Sequence, residues 1–209
     1  MSQTAHPEPQ TPLPAPGTTA DPGPLGLAAF AMTTLVLSVG NTGIVKEPAG
    51  VDVVLALALV YGGIAQLLAG MWEFGRGNTF GATVFSSFGA FWLSFWAISH
   101  LGLGAPGDMH KTIALYLFAW FVFTAGMAIA ALNTSRAVLA VLVVLTLTFL
   151  SLAIGAWQNG PAPDKMTRLG GYLGVVTALL AWYASFSTVI RETRRSRITR
   201  SGEQHNDMA

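Results

Sequence analysis

Six long apolar segments alternate with short polar breaks along this chain. Each segment approaches or exceeds the roughly 20 residues that an α-helix needs to cross the hydrocarbon core of a bilayer. The predicted spans lie at about 25–44, 51–72, 79–100, 112–132, 137–157 and 169–190. Because backbone groups in lipid must be satisfied within the chain, the pattern predicts an all-α membrane protein with six transmembrane helices per protomer.

The two ends of the chain differ from this pattern. Residues 1–24 hold seven of the eleven prolines and neither Lys nor Arg, which predicts a disordered, Pro-rich N-terminal tail. Residues 191–209 are polar and rich in arginine. The sequence therefore predicts three regions: a tail over 1–24, a six-helix transmembrane domain over 25–190 and a basic cytoplasmic tail over 191–209.

Composition supports lipid as the main solvent. Hydrophobic residues make up 52% of the chain and charged residues only 10%, where a soluble domain carries about 25%. The net charge of +1 gives no reason to expect a nucleic-acid partner. There is no cysteine, which excludes disulfides, thiolate metal sites and cysteine nucleophiles.

The distribution of positive charge predicts the orientation. An even number of spans places both termini on one side, and the side richer in Lys and Arg is normally cytoplasmic. The side of the termini collects seven such residues: Arg76, Arg136, Arg191, Arg194, Arg195, Arg197 and Arg200. The other side has four: Lys46, Lys111, Lys165 and Arg168. We therefore expect a multi-pass protein of the cell membrane with both termini in the cytoplasm.

Small residues at four-residue spacing predict where helices approach closely. Three pairs fit this rule, Ala65/Ala69, Gly126/Ala130 and Gly170/Gly174.

The stretch 61–96 carries more polar groups than a lipid anchor favours. Gln66 and Glu73 lie in the second span, and Thr83, Ser86, Ser87 and Ser94 in the third. Polar groups at membrane depth usually face a cavity or another helix, so the stretch predicts a lined pathway. Most of the many aromatic residues of the third span are expected to pack between helices, with one or two narrowing the pathway.

Several kinds of chemistry are absent from the sequence. No Asp, Glu, Lys, Arg or His lies in the middle of a span, which argues against a pump with an intramembrane carboxylate relay. The four histidines match no standard zinc spacing, so we expect no metal site. Without a recognisable Ser/His/Asp signature or a glycine-rich phosphate loop, we expect neither a cofactor nor an enzyme.

Two groups of residues carry a resemblance to a known family. One is Tyr61-Gly62-Gly63, Gln66, Ala69-Gly70, Glu73, Gly77-Asn78-Thr79-Phe80-Gly81, Ser87, Gly89 and Phe91-Trp92; the other is Pro22-Gly23-Pro24-Leu25-Gly26-Leu27, Phe30 and Met32-Thr33-Thr34. These resemble the acetate/succinate transporter family, also called the acetate uptake transporter family. The sequence departs from the family at three positions. Asp21 and Gly23 replace Asn and Ala of its proline motif, and Phe88 stands where many members have Tyr.

The resemblance implies a homohexamer in which each protomer has its own pathway for small carboxylates, acetate and in some members succinate. It places Phe30, Phe88 and Leu145 at a narrow apolar constriction. It also implies polar pathway residues: Thr33, Asn41, Gln66 and Thr146 near the constriction, and Glu73, Asn78 and Thr79 toward the cytoplasmic end.

Simpler roles stay open for these residues. Phe30 and Leu145 fit ordinary packing, and Gln66 fits a hydrogen bond to a neighbouring helix. Asn78 and Thr79 fit a helix cap, and Glu73 fits a surface ion pair with Arg76.

Three functions remain for the whole chain. An uncharged pathway suits acetate that crosses as the neutral acid or with a proton, or as an anion that slips through a short dry constriction. It also suits a urea or amide channel. A third alternative is a membrane sensor or scaffold that binds a partner through the basic tail and carries no flux.

Overall fold

The computed structural model describes residues 19–45, 49–101, 109–159 and 163–206, with the backbone alone for 49–51 and 195–206. The helices are α1 (Gly23–Thr42), α2 (Ala49–Leu59), α3 (Gln66–Gly75), α4 (Thr79–Leu101), α5 (Met109–Ala130), α6 (Arg136–Gln158) and α7 (Lys165–Asn206). A π-helical segment, Val60–Ala65, joins α2 to α3 in one continuous span. A short 3₁₀ turn, Ala131–Asn133, ends the α5 span.

Six helical spans in the described part of the chain are long and apolar enough to cross a membrane. The prediction of an all-α, multi-pass membrane protein is therefore confirmed, and the span boundaries agree to within a few residues. Helix α7 is longer than predicted, because it continues past residue 190 as far as Asn206. Most of the predicted N-terminal tail lies outside the described residues, and α1 already begins at Gly23.

The spans pack in a definite order. Helix α7 lies between α1 and α6, and α6 also packs against α5. On the other side of α1, the π-helical segment and α3 pack against both α1 and α4. The α5 span is the least buried of the six, with 11% of its most apolar window buried. The centre of the protomer is therefore enclosed chiefly by α1, α3, α4 and α6.

Glycines on α7 allow its close approach to α1 and α6. A Cβ atom placed on Gly171 would lie 2.6 Å from the backbone nitrogen of Thr42, and one on Gly170 would lie 2.6 Å from Leu152. Contact at Gly170/Gly174 is therefore confirmed, and Ala69 of a second predicted pair is fully buried. The prediction for Gly126/Ala130 is wrong within the described part of the protomer, because both are exposed and no described residue lies within 4 Å of a Cβ atom placed on Gly126. Both residues face away from the neighbouring helices.

A glycine pair occupies the π-helical segment. A Cβ atom on Gly62 would lie 2.7 Å from Thr33 Oγ1 of α1, and one on Gly63 would lie 2.6 Å from Leu93 of α4. Single π turns inside α-helices are uncommon and are frequently found at functional sites. Here the turn sits immediately before Gln66, so it sets the direction in which the α3 side chains face.

Candidate functional site

Two cavities lie inside the helical bundle. Cavity one, of about 270 Å³, is bordered by α1, α3, α4 and α6, and Asp21, Asn78 and Thr134 mark its outer end. Cavity two, of about 400 Å³, is bordered by α1, α4, α5 and α6, and its outer end is marked by His110 and Asp164. Because six spans alternate in direction, cavity one faces the side of both termini and cavity two faces the opposite side.

A plug of apolar side chains separates the cavities. Phe30 of α1 and Leu145 of α6 border both cavities, and Phe88 of α4 borders cavity one. Their side chains are almost completely buried, at 4%, 3% and 1% exposure. The Phe88 ring contacts the Phe30 ring, with centroids 5.7 Å apart, and stacks on Phe149 at 6.4 Å. The three residues predicted to form a constriction thus lie together between two cavities.

Aromatic side chains from α5 close the remaining side of the plug. The ring of Phe88 contacts Trp120 at 5.9 Å and Phe123 edge-on at 5.7 Å. Offset and edge-to-face aromatic contacts of this kind add stability beyond the area that they bury. Because Phe88 lacks a hydroxyl group, all of these contacts are apolar.

One face of α1 runs through both cavities. Four residues at a spacing of three or four share this face, and all of them line cavity two: Phe30, Thr34, Leu37 and Asn41. Thr33 is turned away from this face toward Gly62.

Cavity one contains a deeply buried amide. Gln66 is 1% exposed and lines the cavity, and its side-chain oxygen has no hydrogen-bond partner among the described residues. An unsatisfied buried polar group costs about 1–3 kcal/mol, so its presence beside a cavity calls for a partner inside that cavity.

Glu73 and Asn78 form a hydrogen-bonded pair toward the outer end of cavity one. The Asn78 side chain donates from Nδ2 to Oε2 of Glu73 over 2.9 Å, and its Oδ1 accepts from the backbone N–H of Gly81 at 3.1 Å. Asn78 therefore caps the start of α4, as the helix-cap interpretation predicted, while it also lines the cavity. Glu73 is 2% exposed, so this donor fixes a carboxylate that has little access to solvent.

An ion pair joins the first and second spans at the same end. Arg76 pairs with Asp21 across 3.1 Å, and Asp21 Oδ1 also accepts from the backbone N–H of Gly23 at 3.0 Å. Among the described residues, Arg76 thus pairs with Asp21 and not with Glu73, which corrects the ion pair considered from the i, i+3 spacing. The two departures from the family motif, Asp21 and Gly23, are in direct contact.

Seven of the ten predicted pathway residues line one cavity or both. Cavity one is lined by Phe30, Gln66, Glu73, Asn78, Phe88 and Leu145, and cavity two by Asn41. Three others are outside both linings. Thr33 donates to the Ala29 carbonyl, Thr146 donates to the Leu142 carbonyl, and Thr79 is exposed at the start of α4. Their place in a pathway stays a prediction.

Two polar residues of cavity two were missed by sequence reasoning. Thr34 and Trp92 line this cavity, and neither Thr34 Oγ1 nor Trp92 Nε1 has a hydrogen-bond partner among the described residues. Their spacing in the sequence could have identified them. Thr34 follows Phe30 by one helical turn, and Trp92 follows Phe88 by one helical turn, so each shares a helix face with a residue of the predicted constriction.

Few charged side chains line the two cavities in the described part of the chain. Within the described ranges, no three His, Cys, Asp or Glu side chains come together to hold a metal ion. The described lining of cavity one contains two carboxylates, Asp21 and Glu73, and neither lysine nor arginine. Besides these carboxylates, the two linings offer amide, hydroxyl and indole groups, which bind by hydrogen bonding.

Comparison with known proteins places this architecture in a family. The sequence profile of the GPR1/FUN34/yaaH family matches residues 3–200, which is nearly the whole chain. The chain belongs to the GPR1/FUN34/yaaH family. The resemblance to acetate/succinate transporters is thereby confirmed.

Relatives within the GPR1/FUN34/yaaH family carry names that refer to different small solutes. The succinate-acetate/proton symporter SatP of Escherichia coli strain K12 is 37% identical over 190 residues, 89% of this chain and 97% of that protein. Acetate permease A of Emericella nidulans is 39% identical over 184 residues, 81% of this chain. Ammonia transport outward protein 2 of Saccharomyces cerevisiae is 38% identical over 180 residues, also 81% of this chain.

The chain differs in extent from some of these family members. It spans 61% of the length of the permease from Emericella and of the Saccharomyces protein. A solved structure described as the bacterial acetate channel SatP superimposes with a TM-score of 0.77 at 36% identity, covering 84% of this chain and 95% of that one. The six-span fold is therefore shared with a membrane channel of the same family.

Proposed function

We propose that this protein carries acetate and related small carboxylates, including succinate, across the membrane through the two cavities and the constriction between them. The observation that carries the proposal is that Phe30 and Leu145 border both cavities, which lie on opposite sides of the bundle. The names of the Escherichia and Emericella relatives supply the substrate class.

Substrate size and polarity agree with this path. Cavity one, at about 270 Å³, has room for an acetate ion together with several waters, since one water occupies about 30 Å³ of liquid. Gln66 presents an unpartnered amide oxygen, which can accept a hydrogen bond from the O–H of the neutral acid, and Phe30 and Phe88 present apolar surface to the methyl group. The site thus matches both ends of a short carboxylic acid.

The constriction sets the mechanism. An anion at membrane depth costs several kcal/mol unless it is neutralised or hydrated, and the described lining of cavity one offers no cation. The substrate therefore crosses either with a proton or as an anion that slips past a narrowing which excludes water. Protons and the lipid bilayer are the partners that this mechanism requires, and no nucleic acid takes part.

The assembly and orientation belong to the same proposal. We expect a homohexamer in which each protomer contains a complete path, since both cavities are formed within one chain. We place both termini in the cytoplasm, because the arginine-rich end of α7 lies on that side. Mass in detergent and protease protection of tagged termini in vesicles test these two points.

Acetate flux into proteoliposomes tests the central claim. Radiolabelled acetate uptake should be saturable and should change with an imposed pH gradient if a proton accompanies the substrate. Phe88→Ala should change acetate flux, because it opens the constriction. Phe118→Ala on α5 is the matched control, since this ring is 48% exposed on the outside of the protomer. Absent uptake with and without a pH gradient would overturn the proposal.

A urea or amide channel is the second candidate, favoured by the lack of cationic groups in the described lining of cavity one. Competition for acetate uptake by urea and succinate separates the two, and ammonium is included because of the name of the Saccharomyces relative. A sensor or scaffold predicts no flux of any solute and a loss of function when residues 191–209 are removed.

A further inference from the structure

We propose that Glu73 exchanges a proton with the substrate, so that a short carboxylic acid which has crossed the constriction as the neutral acid leaves cavity one as its anion. The inference rests on the proposed function and gives Glu73 a chemical task beyond lining the path. It places the proton acceptor at the end of the second span, where one carboxylate can pass its proton to water without a relay through the bilayer.

Glu73 is a buried carboxylate that borders an open space. Its side chain is 2% exposed, yet it lines cavity one together with Gln66. The two residues are seven positions apart on α3, so they share a face of the helix and lie about 10 Å apart along its axis. An acid that leaves Gln66 toward the outer end of the cavity therefore passes Glu73.

Within the described part of the chain, no cation pairs with Glu73. Arg76 pairs with Asp21 instead, across 3.1 Å. The donor to Glu73 is the neutral amide of Asn78, which donates to Oε2 over 2.9 Å. A protonated carboxyl group keeps an oxygen that can accept this same bond, so Asn78 is compatible with both protonation states of Glu73.

The other oxygen of Glu73 is placed to meet a substrate. None of the described residues donates a hydrogen bond to Oε1. Its neighbours are two glycines that also line cavity one: a Cβ atom on Gly81 would lie 3.0 Å from Oε1, and one on Gly23 would lie 3.5 Å from it. Because neither glycine carries a side chain, Oε1 can approach an acid O–H in the cavity.

The starts of two helices stabilise the ionised form without fixing it. Gly23 begins α1, and Gly81 lies in the first turn of α4; both helices pack against α3. The N-terminus of a helix carries a partial positive charge that favours a nearby anion. The charged side chains that act on Glu73 are Asp21 and Arg76, which pair with each other. Glu73 is therefore surrounded by partial charges and a neutral donor, and it can gain and lose a proton.

The transfer needs no further reactant. The O–H bond of the acid breaks as an O–H bond forms on Oε1 of Glu73, and the electron pair stays with the substrate, which leaves as the carboxylate anion. Protonated Glu73 then gives its proton to water at the outer end of cavity one, which restores the carboxylate. Movement in the other direction runs through the same steps in reverse. The charged form of the substrate thus never has to pass the apolar plug.

Infrared difference spectra of the detergent-solubilised full chain test the exchange directly. Two carboxylates held side by side share one proton, because like charges at short range do not both ionise. Sodium acetate added at constant pH should therefore increase the carbonyl band of a protonated carboxyl group of the protein, and the increase should saturate. Sodium chloride at the same concentration should not produce it. Acetate labelled with ¹³C keeps the bands of the ligand apart from those of the protein.

The band is assigned by its loss in Glu73→Gln, which keeps an oxygen that can accept from Asn78. Glu192→Gln is the matched control and should leave the band unchanged, since this carboxyl group is exposed on α7 and lies outside both cavity linings. Labelling the glutamates of the wild type with ¹³C should move the band, which assigns it to a glutamate even if the Glu73 variant fails to fold.

Flux reports on the same step. Glu73→Gln should slow acetate uptake into proteoliposomes about tenfold or more, because a positioned proton acceptor commonly contributes at least this factor. Glu192→Gln should stay within about twofold of the wild type, as expected for an exposed charge.

The pH on the side of cavity one distinguishes proton exchange from a structural role. In oriented vesicles that contain no acetate, the initial uptake by the wild type should fall as this pH is lowered at constant pH on the other side. The reason is that Glu73 is then already protonated and cannot accept. Glu73→Gln should lose this dependence, which the loss of a packing contact would not cause.

The outcomes separate this role from the proposed function. If acetate is transported but no carboxyl band responds to it, or the band persists in Glu73→Gln, the proton exchange is overturned and the transport proposal stands. An unchanged flux in Glu73→Gln overturns the exchange as well. If the band responds to acetate and requires Glu73 while no acetate enters proteoliposomes, the exchange stands and the transport proposal fails.

Discussion

Phe30 and Leu145, one from the first span and one from the fifth, are the pair of side chains that border both cavities. Each is less than 5% exposed, so the two cavities are divided by well-packed hydrocarbon and not by a loop. A plug of packed side chains opens through small movements of those side chains, and substitution can change its thickness.

Leu145→Ala should thin the apolar plug between the two cavities. We expect acetate flux to rise, because the shorter side chain leaves space that joins the cavities, and the free energy of unfolding to fall by about 2–5 kcal/mol. Flux into proteoliposomes and thermal unfolding in detergent are the measurements. Leu147→Ala is the control on the same helix, since Leu147 is 47% exposed and outside both linings. An unchanged acetate flux in the Leu145 variant would contradict the role of the plug as the barrier between the cavities.

The Asp21–Arg76 ion pair should tune how anions reach cavity one. Both side chains are about one-third exposed, so breaking the pair should change stability by no more than about 1 kcal/mol. Arg76→Gln leaves two carboxylates at this end and should slow acetate entry about two- to threefold at low ionic strength. Asp21→Asn keeps an acceptor for the Gly23 N–H and should speed entry by a similar factor.

Salt distinguishes this effect from a change of shape. Steering by exposed charges is screened as ionic strength rises, so the two variants should converge on the wild-type rate at high salt. A difference in flux that persists there would indicate a structural cause instead.

The Asn78 side chain makes two hydrogen bonds, one to Glu73 and one to the backbone N–H of Gly81, and substitutions can separate them. Asn78→Ala removes both the helix cap and the donor to Glu73, and it should lower the free energy of unfolding by about 1 kcal/mol or somewhat more. Asn78→Ser keeps an oxygen that can accept from the Gly81 N–H but is too short to reach Glu73 as the amide does. Thermal unfolding should therefore place the serine variant near the wild type. Equal destabilisation of both variants would show that the contact with Glu73 dominates.

Two glycines should respond in opposite directions to the same change. Gly171→Ala places a methyl group 2.6 Å from the backbone nitrogen of Thr42, which neither helix can avoid without moving, so we expect a loss of about 1–3 kcal/mol. Gly126→Ala adds a methyl group in open space within a helix and should be neutral or stabilising by up to about 1 kcal/mol. Paired unfolding curves check both. A destabilised Gly126 variant would instead reveal a neighbour that covers this face in the assembled protein.

The spans and the constriction residues could be predicted from the sequence, because span length and a family motif leave strong signals. The sequence could not show which of two neighbouring residues faces a cavity. Thr33 and Thr34 are adjacent on a helix that is apolar on all sides, so periodicity does not show which one faces a cavity. In the folded protein Thr33 packs against Gly62, and Thr34 lines cavity two.

Tertiary contacts also decided the partner of Arg76. The i, i+3 spacing suggested Glu73 as the partner of Arg76. The chain at the start of α1 instead brings Asp21 to Arg76, and Glu73 accepts a hydrogen bond from Asn78. Likewise, the small-residue spacing of Gly126/Ala130 suits a helix contact, yet none of the described residues lies within 4 Å of a Cβ atom placed on Gly126. In each case the local pattern was sound and a more distant part of the chain determined the outcome.

The π-helical turn before Gln66 makes the length of the second span as important as its composition. Gln66 and Glu73 are seven residues apart, so they share a face, and both line cavity one. A single π turn takes up one extra residue, so removing one residue from Val60–Ala65 and restoring a regular α-helix would leave the side chains after it on about the same face. Removing one residue from the regular helix α2 would instead rotate the part of the span before the deletion by about 100° relative to Gln66 and Glu73. The place at which this span gains or loses a residue therefore decides whether its polar side chains keep their position relative to the rest of the span.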